Sequence, residues 1–127
     1  MFRFKAKDVM IKKVVTIHPE SSLKEAVKII LKKGISGLPV IDNSNKIIGI
    51  LTEKDIINYM ISGNLNHALA SEAMSTNIIS VSSDTDLTKI ALLFCEKGIK
   101  RVPVIDNGKL VGIISRRDMI RSITNEE

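Results

Sequence analysis

The stretch KGISGLPVIDNSNKIIGILTEKDII (Lys33 to Ile57) is written a second time as KGIKRVPVIDNGKLVGIISRRDMI (Lys97 to Ile120), one residue shorter in its turn. Repetition on this scale decides the architecture before any single motif does. Upstream of the turn the copies keep a constant offset of 64 residues, pairing Met10 with Met74, Thr16 with Ser80, Leu23 with Leu87 and Gly34 with Gly98. Downstream the offset is 63, pairing Gly49 with Gly112 and Asp55 with Asp118. The chain therefore reads as two tandem repeats, residues 1–63 and 64–127, within one domain of residues 1–127. No Pro/Gly/Ser-rich linker separates them. The stretch ISGNLNHALASEAM leaves the first repeat at Gly63 and enters the second through a short helix.

Each repeat predicts the same elements. VVTI (Val14 to Ile17) and IISV (Ile78 to Val81) are short β-branched runs that read as strands. Ser22-x-x-Glu25 has the form of a capping box, ahead of an apolar stripe of Leu23, Ala26, Val27, Ile30 and Leu31. Gly34 is placed to end that helix. Leu87, Ile90, Ala91, Phe94 and Cys95 repeat the stripe, which puts Cys95 on the buried face as a core thiol, and Gly98 closes the helix. LPVID and KIIGIL flank NSN, while VPVID and KLVGII flank NG, a strong hairpin signal. A last helix follows in each copy, with Ile56, Ile57, Met60 and Ile61, then Met119, Ile120 and Ile123, as its apolar contacts. The fold class is α/β (α+β): two β-α-β-β-α repeats, expected to bury their three-stranded sheets against each other with pseudo-twofold symmetry.

Composition bounds the function. Hydrophobic residues make up 44% and charged residues 26%, as in globular domains. The longest apolar run, Ile90 to Cys95, is far too short for a membrane span. The opening MFRFKAKDVM has no apolar signal core, and one cysteine leaves no internal disulfide, so a cytoplasmic protein is expected. The net charge of +5 favours an anionic partner. Aromatic residues are only 3% of the chain (Phe2, Phe4, Tyr59 and Phe94), which argues against single-stranded nucleic acid and its stacking platforms. His18 and His67 have no partners at metal-ligand spacing and read as surface residues. The five methionines read as packing. No Ser-His-Asp or Cys-His grouping presents a nucleophile, so a non-catalytic protein is expected.

Chemistry concentrates at the end of the repeated phrase. Thr52-x-x-Asp55 and Ser115-x-x-Asp118 sit where a strand gives way to a helix, and there they have two readings. Each is the pattern of a capping box. Each also offers a hydroxyl and a carboxylate able to accept hydrogen bonds from a ribose diol. The antiparallel hairpin brings Lys100 and Arg101 to the same edge as Ser115, Arg116, Arg117 and Asp118, beside the N–H groups that open a helix. Sugar-reading carboxylate, phosphate-reading cations and apolar walls together describe a nucleotide site.

GISGLPVID, GIKRVPVID, GILTEKD and GIISRRD, in this order and spacing, resemble the tandem CBS-domain pair, or Bateman module, over essentially the whole chain. The resemblance implies a regulatory module that binds AMP, ADP, ATP or S-adenosylmethionine between its repeats. It also implies a disc-like homodimer and an effector protein that the sequence does not name. Carried over residue by residue, site one takes Ile50, Thr52 and Asp55 with Ile78, Ile79, Lys100 and Arg101, with Arg116 and Arg117 toward the phosphates. Site two takes Ile113, Ser115 and Asp118 with Val14, Val15, Ser36, Gly37 and Lys54. Site one has Lys100-Arg101 where site two has Ser36-Gly37, and Glu53 stands where Arg116 does. Site one is therefore expected to hold phosphorylated adenosine more tightly. Two other readings stay open: a dimerisation module whose hydroxyl–carboxylate pairs are only caps, and a basic nucleic-acid binder whose affinity falls steeply with salt.

Overall fold

The computed structural model describes residues 3–125. Met1 and Phe2, counted above among the methionines and aromatics, lie outside the described residues. The chain forms two compact units, one of Val15–Ile78 and one of Met1–Val14 with Ile79–Glu127. The units and the sequence repeats do not coincide, because the described residues up to Val14 belong with the second repeat's hairpin.

In the unit of Val15–Ile78, helix α2 (Leu23–Lys33) is opened by Ser22, whose Oγ accepts from Glu25 N at 3.1 Å. It is closed by Gly34 in the left-handed region at φ 66°. Strands β1 (Gly37–Ile41) and β2 (Ile47–Thr52) form the antiparallel hairpin, in register from Gly37 opposite Thr52 to Val40 opposite Gly49. Helix α3 (Glu53–Ser62) continues directly from β2, and a short 3-10 turn (Leu65–His67) leads to α4 (Ala70–Ala73). Leu23, Ala26 and Ile30 from α2 cluster with Leu38, Val40 and Leu51 from the hairpin and with Ala68 and Ala70. Full burial of each leucine here is worth about 2 kcal/mol.

The other unit repeats this plan. Helix α1 (Ala6–Val9) precedes it in the chain, followed after the crossing by α5 (Leu87–Lys97), β3 (Arg101–Asp106), β4 (Lys109–Ser115) and α6 (Arg116–Ser122). Gly98 ends α5 at φ 64°. Asn107 and Gly108 both take positive φ, as a two-residue primed turn requires. Leu87, Ile90 and Phe94 pack with Val102, Val104 and Ile114, and Ala6 joins that core from α1.

Each short helix is fastened to its unit by backbone bonds. Ala6 N donates to Thr85 O at 2.8 Å, and Ile11 and Ile113 exchange bonds of 2.9 and 3.0 Å. In the other unit Ala70 N donates to Ser21 O at 2.8 Å, and Ser75 and Ile50 exchange bonds of 2.8 and 2.9 Å. This close approach explains the glycine that begins the phrases GILTEKD and GIISRRD. A Cβ on Gly49 would collide with the Sδ and Cγ of Met74, and one on Gly112 with the same atoms of Met10. Both methionines therefore pack, as their reading predicted, but at the ends of α4 and α1 and against bare backbone.

Three expectations need correction. VVTI and IISV make no named strands. Each contributes one parallel bridge, Ile17 to Val40 and Val81 to Val104, so the regular sheets are two-stranded. Leu31 is 74% exposed and Cys95 is exposed, so neither lies in the core. Eight positions along a helix rotate a side chain about 80° from the first, which carries both off a stripe centred on Ala26 or Ile90. The final helices bury less than their patterns predict. Met119 is buried and Ile56 packs on the core, whereas Ile57, Met60, Ile61, Ile120 and Ile123 are exposed.

One aspartate does different work in the two hairpins. Asp42 closes its own longer turn, its Oδ1 accepting from Ser44 N at 2.8 Å and Lys46 N at 3.0 Å. The tighter Asn-Gly turn lets Asp106 reach out instead, and its Oδ1 accepts from Ser83 N at 3.0 Å. Ser83 falls opposite Pro19 in the repeat, which has no N–H to give. The Ser83 hydroxyl and then its N–H hold the Asp106 carboxyl below its ordinary value of 3.8. A depressed carboxylate stabilises the fold above its unfolded value, and that contribution is lost as pH falls through the lower folded value. Ser83→Ala should therefore flatten the acid limb of stability below about pH 4, measured by denaturant midpoints across pH. Gly49→Val should cost about 1–3 kcal/mol by overpacking, and hydrogen exchange at the Ile50 and Ser75 amides should speed up with it. Unchanged exchange there would show that Met74 simply swings aside.

Candidate functional site

The phrase's hydroxyl and carboxylate are placed by the strand-to-helix corner. Thr52 ends β2 in extended conformation, at φ −106°, and is the N-cap of α3. Its Oγ1 accepts from Asp55 N at 3.2 Å and donates to Asp55 Oδ2 at 2.9 Å. The same Oδ2 accepts from Thr52 N at 2.9 Å. Ser115 and Asp118 reproduce this at the start of α6. Ser115 Oγ accepts from Asp118 N at 3.2 Å, and Asp118 Oδ2 accepts from Ser115 N at 2.8 Å and Ser115 Oγ at 2.9 Å. The capping reading is thus correct in full. It consumes only one oxygen of each carboxylate, which leaves Oδ1 to face other groups.

Those other groups differ between the units. Asp55 Oδ1 accepts from the Ser75 hydroxyl at 2.7 Å. Asp118 Oδ1 accepts from the Arg121 guanidinium at 3.0 Å, an ion pair in which Asp118 is 9% exposed and Arg121 60%. Neither Ser75 nor Arg121 stands out in the sequence. Arg121 is legible in retrospect as an i, i+3 cation on the same helix. Ser75 is twenty residues from its partner and reaches it through the bridge to Ile50, which no local pattern announces.

The expected edge of basic residues forms within its own unit. Arg101 lies opposite Ser115 in the hairpin register, and Arg116 N donates to Lys100 O at 3.2 Å. Arg116 Nε also donates to Ile99 O at 3.0 Å, which ties that guanidinium to the strand approach. Lys100 and Arg117 are exposed. In the other unit Gly37 lies opposite Thr52, and Glu53 N donates to Ser36 O at 3.0 Å, with Lys54 exposed beside it. Ile50 and Ile113 are half-buried on their hairpins, each bridged to the tail of a short helix. Val14, Val15, Ile78 and Ile79 are half-buried and mark the two places where the chain passes from one unit to the other.

Among the described residues no group of three or more His, Cys, Asp or Glu is arranged to hold a metal ion, and His18 and His67 are exposed. Among the described residues no helix is long and apolar enough to cross a membrane.

A family model described as the CBS domain matches residues 6–62 and again 70–125. Among solved structures, the chain superposes on the CBS domain pair of protein MJ0100 in complex with 5′-methylthioadenosine and S-adenosyl-L-methionine. The TM-score is 0.83 and the identity 31%, covering 97% of this chain and 98% of that one. It also superposes on CBSX2 in complex with AMP, with a TM-score of 0.86 and 26% identity, covering 96% and 97%. Inosine-5′-monophosphate dehydrogenase of Methanocaldococcus jannaschii is 30% identical over 118 residues, which are 92% of this chain and 23% of that enzyme. The chain spans less than half the length of this and several other curated relatives.

Proposed function

This chain belongs to the CBS-domain family, and we propose that it is a regulatory module which binds an adenosyl ligand and passes its occupancy to a partner protein. The observation that carries this reading is the pair of hydroxyl–carboxylate corners, Thr52 with Asp55 and Ser115 with Asp118. In both, the cap fixes the carboxylate by Oδ2 and turns Oδ1 away from it. A carboxylate fixed through one oxygen, with the other held only by a side chain that a ligand can displace, suits the two hydroxyls of a ribose. Lys100, Arg101 and Arg117 supply positive charge for a phosphate, and Arg116 does so with the part of its guanidinium not bound to Ile99. The solved relatives with AMP, and with S-adenosyl-L-methionine and 5′-methylthioadenosine, support an adenosyl ligand. The module is non-catalytic, since relatives that are enzymes share only a small part of their length with it. It works in the cytoplasm, and ligand shifts its conformational population toward the form that the partner prefers.

The test is calorimetric titration with AMP, ATP and S-adenosylmethionine. Asp55→Ala and Asp118→Ala should each remove one site, while the fold loses only about 1 kcal/mol, the usual worth of a cap. Absence of any binding tighter than millimolar, or mutants that unfold yet keep their affinity, would leave the carboxylates as caps alone.

A separate observation supports a homodimer. Ile61 is 81% exposed, and Ile57 and Met60 share its helix, while α6 and the turn after it expose Ile120 and Ile123. Large apolar side chains grouped on an exposed helix face are a feature of association surfaces. Ile61→Glu should shift sedimentation from dimer to monomer without lowering helix content, whereas an unchanged sedimentation coefficient would place the interface elsewhere.

A further inference from the structure

The two carboxylates differ in what a ribose has to displace. We propose that Arg121 is a built-in competitor for Asp118, so that a neutral nucleoside enters this site only by breaking an ion pair, whereas at Asp55 it displaces one hydroxyl. This rests on the reading of Asp55 and Asp118 as ribose carboxylates. It adds a residue that sets the preference of one site.

The geometry is closed on both sides of Asp118. Oδ2 takes the N–H and the hydroxyl of Ser115 at 2.8 and 2.9 Å, and Oδ1 takes the Arg121 guanidinium at 3.0 Å. Asp118 is among the few buried polar residues of the described chain, while the arginine that meets it is mostly exposed. The guanidinium can therefore rotate into water, but the carboxylate it leaves stays buried and must be repaired by the incoming diol. Asp55 is less buried, and its Oδ1 meets only a neutral hydroxyl. Repeat symmetry shows that the difference is built in at two positions. Ile11 stands where Ser75 does, with no hydroxyl to offer, and Asn58 stands where Arg121 does, with no charge. Both bonds end on a carboxylate, but only Arg121 brings an opposite charge to it, so the two sites present different entry costs to the same ribose.

An ion pair with one exposed partner is weakened by salt. Adenosine carries no charge, so its own binding has no reason to respond to salt unless it must break such a pair. Affinity that rises with ionic strength for a neutral ligand is the signature of the competitor.

The experiment is calorimetric titration of the full chain with adenosine and with AMP, in the Asp55→Ala background that isolates the Asp118 site. Asp55→Ala should bind adenosine more tightly as sodium chloride rises from ~0.02 to ~0.5 M, where screening shortens to a few ångströms. Arg121→Met, which keeps the stem and removes the charge, should raise adenosine affinity by about fivefold in that background and abolish the salt response. The salt series on Asp55→Ala needs no change at Arg121, so it decides the matter even if Arg121→Met folds poorly. Adenosine affinity that is flat or falling with salt, or lower in Arg121→Met, overturns the competitor and makes Arg121 a bystander or a ligand contact. Failure of wild type, Asp55→Ala and Asp118→Ala alike to bind either ligand overturns the functional reading itself. Binding at both sites with no Arg121 effect overturns only this inference.

Discussion

The reciprocal cap between a hydroxyl at the end of a strand and an aspartate three residues later is the contact on which the rest of each unit depends. It turns the chain from hairpin into helix without a loop, satisfying two N–H groups that would otherwise lack partners at the helix start. It also immobilises the aspartate. Thr52 and Ser115 each hold their carboxylate through both N–H and hydroxyl. A side chain fixed in this way costs little further entropy when a ligand takes its remaining oxygen. The structural reading of the motif thus accounts for one oxygen of each carboxylate, and the proposed ligand role concerns the other.

Much of the fold was legible because its signals are local. Gly34 and Gly98 end helices in the left-handed region, Asn107-Gly108 makes the tight turn, and the serine or threonine caps sit where the pattern puts them. What the sequence hid was long-range. VVTI and IISV have the composition of strands, yet each reaches its neighbour at one bridge, because Pro39 and Pro103 have no N–H to give and offer mainly their carbonyls. Leu31 and Cys95 satisfy a helical period on paper, but a stripe only three residues deep is all that a two-stranded hairpin covers. The candidate carboxylates could be named from spacing alone. Their partners Ser75 and Arg121 depend on which segment docks beside each corner and on how a long side chain folds back.

Duplication explains why the units agree in plan and differ in chemistry. Gly49 and Gly112 do the same job, admitting Met74 and Met10 over the strand. Asp42 and Asp106 have drifted apart because one residue fewer in the turn released the second from closing it, and Ser83, unlike Pro19, has an N–H for it to accept. A repeat held together by backbone geometry tolerates such drift in its polar side chains.

The uneven distribution of charge has the same origin. Lys100-Arg101 opens β3, whereas Ser36-Gly37 opens β1, and the glycine is more than a missing cation. A Cβ at Gly37 would lie 2.9 Å from the Leu51 carbonyl oxygen and 3.2 Å from the Cα of Thr52. Both are backbone atoms, so they cannot step aside as a flexible side chain would. The hairpin of Val15–Ile78 is wound too closely at its first residue to accept the arginine that its counterpart carries opposite Ser115. Restoring symmetry of charge would require shifting the strand that ends in Thr52, and with it the cap that fixes Asp55. The asymmetry between the two corners is thus held in place by the backbone itself, and a single substitution to a basic residue at Gly37 would disturb the carboxylate before it added a useful charge.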